Sequence, residues 1–144
     1  MSASVVVDYA HTPDALQKAL ESVRQHCSGD LWCVFGCGGD RDQAKRPIMG
    51  AAADKYADVL MVTNDNPRTE SPEVIAEHIV SGIEGEHQIV LDRAEAIAYA
   101  IASASENDWV LIAGKGHEST QQIGQDLLPF SDREQVVKAL EVAA

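Results

Sequence analysis

Five short apolar runs recur along this chain: Val5 to Val7, Leu31 to Phe35, Asp58 to Val62, Gln88 to Leu91 and Trp109 to Ala113. A strand with one wet face alternates apolar and polar residues, and these runs barely alternate, so both of their faces must be covered. Between them lie stretches with helical spacing. Thr12 caps one helix, with Pro13 at its first position and Ala15, Leu16, Ala19, Leu20 and Val23 on one stripe. A second helix is expected from about Pro47 to Tyr56. Ser71 and Pro72 open a third, with Val74, Ile75, Ile79 and Ile83 inward, and Asp92 with Glu95 boxes a fourth, with Ala94, Ile97, Ala98 and Ile101 inward. Strands that alternate with helices pair in parallel, with helices on both faces. The sequence therefore predicts an α/β, Rossmann-like three-layer sandwich with a mostly parallel sheet of about six strands.

The period changes after residue 118. Thr120 to Ile123 and Leu127 to Phe130, separated by Gly124, Gln125 and Asp126, predict a hairpin or an antiparallel edge strand near the C-terminus. Ser131 and Glu134 then box a last helix with Val136, Val137 and Leu140 inside. With 144 residues and no linker, repeat or low-complexity segment, residues 1–144 are expected to form one domain. The first strand begins almost at residue 1, which predicts a piece cut from a longer protein.

A net charge of -12 repels nucleic-acid backbones and anionic membranes, and no apolar run approaches the roughly 20 residues that span a bilayer. Neither nucleic acid nor membrane is an expected partner, and the expected location is cytoplasmic. Cys33 and Cys37 share a strand face but lie more than roughly 10 Å apart, too far for a disulfide. No second Cys or His pair accompanies them at metal spacing, so no metal site is expected in this domain. His26, His78 and His87 read as inert, and the Met and Trp residues as core.

Four polar loops leave the carboxyl ends of predicted strands, where parallel sheets bind ligands: Asp8 to Pro13, Gly36 to Pro47, Thr63 to Arg68, and Gly114 to Glu118. Arg41 and Arg68 suit a carboxylate, whereas Asp65, Glu118 and the Gly114 carbonyl suit an ammonium, so the set fits a small zwitterion. Pro67 stiffens the loop that presents Asn66 and Arg68. The plain reading of either Arg is a surface ion pair, and of His11 and His117 a loop hydrogen bond. Arg41 replaces the third glycine of a dinucleotide fingerprint. Gly114, Lys115 and Gly116 lack the upstream glycine and the following Ser or Thr of a P-loop.

In order along the chain stand Asp8-Tyr9-Ala10-His11-Thr12-Pro13-Asp14, then Gly36, Gly38, Gly39, Asp40, Arg41, Asp42, Lys45, Arg46 and Pro47. Asp65-Asn66-Pro67-Arg68, Gly114-Lys115-Gly116-His117-Glu118 and Ser131-Asp132-Arg133 follow. Together these resemble the C-terminal domain of the Mur ligase family, in particular its diaminopimelate-adding members, over essentially the whole chain. The resemblance implies a parent ligase of peptidoglycan synthesis that uses ATP and Mg2+ to activate a D-glutamyl carboxylate as an acyl phosphate. An N-terminal domain for the uridine nucleotide and a central ATPase domain, both absent here, would be the partners of this domain, which by itself would be inactive and hold no cofactor tightly. It implies that Arg41, Asp65, Asn66, Pro67, Arg68, Gly114 and Glu118 meet meso-diaminopimelate and that Asp8 and His11 face ATP; apart from the resemblance, His117 is a candidate for the base that deprotonates the attacking amine. Ala44 and Thr120 depart from the family pattern, which often has glycine and an aromatic there. A second reading, a five-stranded phosphoacceptor (receiver-like) signalling domain, rests on Asp8, Thr63 and Lys115 but lacks the adjacent acid pair such a domain needs.

Overall fold

The computed structural model describes residues 2–143. Strands β1 (Ser4–Asp8), β2 (Leu31–Phe35), β3 (Val59–Val62), β4 (Gln88–Ile89) and β5 (Trp109–Ala113) form one sheet in the order β1-β5-β2-β3-β4, every pair parallel. Helices α1 (Pro13–Arg24), α2 (Lys45–Tyr56), α3 (Pro72–Val80), α4 (Arg93–Ser103) and α5 (Asp132–Ala143) complete the fold together with a hairpin of β6 (Thr120–Ile123) and β7 (Asp126–Pro129).

Side-chain alternation divides the core into two layers. Leu31, Cys33, Phe35, Leu60, Val62, Leu111 and Ala113 pack against α1, α2 and α3. Trp32, Val34, Met61, Val110 and Ile112 pack against α4 and α5 on the opposite face. β2 is buried along its whole length because it has helices on both faces and strands on both edges. The caps fall where expected, with Thr12, Ser71, Asp92 and Ser131 accepting from backbone N–H groups of the following turn.

Several expectations need correction. The main sheet has five strands, not about six, because the C-terminal pair forms its own two-stranded sheet. The chain leaves β5 through Gly114 at φ +118 and Gly116 at φ +57, left-handed turns that take it off the sheet edge. α2 begins two residues earlier than predicted, and Pro47 sits in its first turn, where a missing N–H costs nothing. Ala44 is αR at φ -65, so no glycine is needed there. β4 ends at Ile89 rather than Leu91. Val74, Ala98 and Val137 face outward, since each helix covers only one stripe and these residues stand beside it.

The same topology excludes the receiver-like reading on structural grounds. Such doubly wound domains run 2-1-3-4-5, whereas here β5 lies between β1 and β2. That insertion brings the loops after β1, β5, β2 and β3 next to one another.

Candidate substrate cleft

The loops after β2 and β3 are joined by backbone before any side chain acts. Gly36 and Gly39 allow the approach: a Cβ on Gly36 would lie 2.1 Å from the Thr63 carbonyl oxygen, and one on Gly39 would lie 1.8 Å from that of Pro67. Gly39 N–H donates to Asn66 O at 2.7 Å, and the Arg68 guanidinium donates to Gly39 O at 2.9 Å. Asp40 and Arg68 both hold left-handed backbone, at φ 55 and φ 52. Such strain persists only where surroundings over-determine it. The Asp40 carboxylate accepts from the Thr69 hydroxyl at 2.7 Å, and its N–H donates to Glu70 at 2.6 Å.

Beneath this junction lies Arg46, fully buried, which donates to both Glu70 oxygens at 3.0 and 2.8 Å and to Gly38 O at 3.0 Å. Its hydrogen bonds hold the Glu70 carboxyl down to about 2, against a burial cost in the other direction. Arg46 also meets His78 Nδ1 at 3.0 Å, which must accept because guanidinium only donates. His78, expected to be inert, is thus part of the loop support. A second buried cation, Arg93, holds Asp132 in two bonds of 2.7 Å and donates to Asn64 O and Ala113 O. Burial opposes its charge, but Asp132 outweighs it and the guanidinium pKa is raised.

The hairpin braces the β3 loop from the side. Arg68 N–H donates to Gln122 O at 3.1 Å, Gly124 N–H to Arg68 O at 2.7 Å, and the Gln121 amide to Asp65 O at 2.7 Å. Lys115, 0% exposed, donates to Asn66 Oδ1 at 2.8 Å and to Thr120 O at 3.0 Å, with Asp65 Oδ1 at 3.2 Å and Glu118 at 3.8 Å. Thr120 therefore serves through its backbone rather than through an aromatic side chain.

These supports leave a cleft of about 380 Å³ lined by the cations Arg41, Lys45 and Arg68 and the carboxylates Asp65 and Glu118, together with Tyr9, His11, Gly38, Asn66 and Gly114. A cleft that holds both cations and carboxylates suits a ligand with separate carboxylate and ammonium groups. Of the residues singled out in the sequence, Arg41, Asp65, Asn66, Arg68, Gly114, Glu118 and His11 meet there. Pro67 is buried behind them. Asp8 and His117 instead line an adjoining groove of about 470 Å³ with Tyr9 and Arg133. The Asp8 carboxylate accepts from Ala10 N at 2.8 Å, and His11 Nδ1 lies 2.9 Å from Tyr9 O. Sequence reasoning missed Lys45, Arg46, Arg93 and Lys115 as parts of the site or its support.

Residues 1–116 match the family described as Mur ligase, glutamate ligase domain. The UDP-N-acetylmuramoyl-L-alanyl-D-glutamate--2,6-diaminopimelate ligase of Coxiella burnetii is 59% identical over 138 residues, covering 94% of this chain and 28% of that protein. The enzyme of the same name from Haemophilus influenzae is 57% identical, covering 91% of this chain and 27% of its own. A solved structure of such a ligase superposes with a TM-score of 0.91 at 47% identity, over 96% of this chain and 29% of that one. The chain thus spans little more than a quarter of the length of these relatives.

Proposed function

The chain belongs to the Mur ligase family, and from that membership we propose that it is the amino-acid-binding domain of a cytoplasmic ligase that adds meso-diaminopimelate to UDP-MurNAc-L-Ala-D-Glu in peptidoglycan synthesis. The observation that carries this reading is the mixed charge of the cleft, where two guanidiniums and two carboxylates line one cavity at the ends of β2, β3 and β5. Arg41 and Arg68 take the carboxylates of the incoming amino acid, and Asp65, Glu118 and the Gly114 carbonyl take its ammonium groups. Lysine has no distal carboxylate and would leave a guanidinium without its partner, a loss of about 1.5 to 3 kcal/mol or roughly tenfold to a hundredfold in affinity.

ATP supplies the phosphoryl group that activates the acceptor's D-glutamyl carboxylate. This chain's part is to hold the attacking amine in place and to close over the nucleotide with Asp8 and His11. Among the described residues no three His, Cys, Asp or Glu side chains cluster as metal ligands. The phosphate-cradling loop, Mg2+ and the uridine-nucleotide site we assign to the N-terminal and central domains of the longer protein, without which this chain does not turn over.

Two measurements test the proposal. Titrating the chain with meso-diaminopimelate should move resonances of Arg41, Arg68 and Glu118 while lysine at the same concentration leaves them in place. In the full-length ligase, Arg68→Ala should raise KM for diaminopimelate at least tenfold, and an unchanged KM refutes the assignment.

A further inference from the structure

Lys115 stands out among the cations because it reaches no solvent and points into no open space, yet four acceptors surround it. A buried ammonium is tolerated only when its donors are used. One of the partners is unusual. Asn66 Oδ1 accepts from Lys115 Nζ at 2.8 Å and from the Gln122 backbone N–H at 3.0 Å. Neither partner has any capacity to accept, so a rotated amide would set its NH2 against an ammonium and an N–H. The amide has one permissible orientation. Its Nδ2 then finds no protein acceptor among the described residues, and Asn66 lines the cleft.

We propose that Lys115 is a positioning residue for substrate recognition: it locks the Asn66 amide with oxygen inward and NH2 toward the cleft, so that Asn66 can only donate, as a substrate carboxylate requires. The inference rests on the functional reading above and refines it. With Arg41 and Arg68, Asn66 gives the cleft three donors for a carboxylate.

The hydrogen bond itself can be read without substrate. NMR of the unsubstituted chain should show the Lys115 ammonium protons in slow exchange with water and coupled to the Asn66 side-chain carbonyl carbon. Adding meso-diaminopimelate should shift the Asn66 NH2 protons and leave the Lys115 coupling intact. Absence of that coupling overturns the proposal. In the full-length ligase, Lys115→Met should raise KM for diaminopimelate tenfold or more, with a much smaller fall in kcat and no change in KM for ATP. Because Lys115 acts through Asn66, the same substitution placed on Asn66→Ala should add less than twofold, whereas a general structural role would add the full factor again. A full second factor, or an unchanged KM in Lys115→Met alone, overturns it. Should Lys115→Met fail to fold, the NMR coupling decides. If the coupling is present but the unsubstituted ligase shows no diaminopimelate-dependent turnover, the functional reading has failed, and the inference falls with it.

Discussion

Gly39→Ala probes the junction of the two loops that carry Arg41 and Arg68. The new Cβ would start 1.8 Å from Pro67 O and 2.6 Å from Pro67 C, both backbone atoms that cannot rotate away. A carbon and an oxygen in contact sit about 3 Å or more apart, so the loops must part by more than roughly 1 Å. Two bonds cross that gap, Gly39 N–H to Asn66 O at 2.7 Å and the Arg68 guanidinium to Gly39 O at 2.9 Å. Losing a neutral and a charged hydrogen bond costs about 2 to 4 kcal/mol together, a large fraction of a typical total of about 5 to 15. The same displacement moves Arg68 away from Arg41, and a shift of about 1 Å in positioning groups can cost on the order of a hundredfold in rate. Urea unfolding of the chain and KM for diaminopimelate in the full-length ligase read the two effects. Gly124→Ala is the control: nothing lies within 4 Å of its Cβ, and only left-handed strain of about 1 kcal/mol is expected at φ +61. A Gly39→Ala variant no less stable than Gly124→Ala, with KM unaltered, would show that the loop junction does not set the cleft.

Three further outcomes follow from the buried charges and thiols. Asp132→Asn leaves the fully buried Arg93 without its countercharge and should cost about 3 to 5 kcal/mol in urea unfolding; a loss below about 1 kcal/mol would mean that the Asn64 and Ala113 carbonyls suffice. Arg46 holds the Glu70 carboxyl at about 2 instead of the usual 4.5, so this group stabilises the fold above pH 4.5 and the contribution drains away as pH falls toward 2. Allowing for solvent screening, on the order of 1 to 2 kcal/mol is at stake, and Glu70→Gln should flatten the acid limb of stability against pH. Burial pushes Cys33 and Cys37 up to about 12 from 9.0, with Lys45 and Arg46 pulling Cys37 back, so both should stay unreactive toward a thiol reagent at pH 8 while the half-buried Cys27 reacts. Labelling of all three in the native state would refute that burial.

Apolar periodicity was enough to place nearly every element of this fold, because strands covered on both faces and helices with one inward stripe leave different spacings in the chain. It failed one residue at a time: Val137 follows the buried Val136, and a single position along a helix turns the side chain out of the stripe. The strand order was beyond reach, since nothing local distinguishes β5 beside β1 from β5 at an edge. Cleft residues were legible for a related reason. Strand-end loops in a parallel sheet share one side, so Arg41, Arg68, Asp65 and Glu118 could be gathered without knowing the order.

The residues that hold the cleft in shape were not legible, and all four of them carry charge. Charged residues are read as solvent-facing because burial is costly, and that rule holds until acceptors are supplied. Here the acceptors come from elements distant in sequence: Asp132 for Arg93, Glu70 for Arg46, and Asn66 for Lys115. The glycines that open the loops expose backbone carbonyls, and these cations are what satisfy them, as Gly38 O does with Arg46 and Ala113 O with Arg93. A cleft made by glycine-rich strand ends therefore needs buried cations behind it as much as exposed ones in front. Lys45, whose ammonium donates to His11 O at 3.0 Å, ties the first loop to the second by the same device at the rim, where water remains.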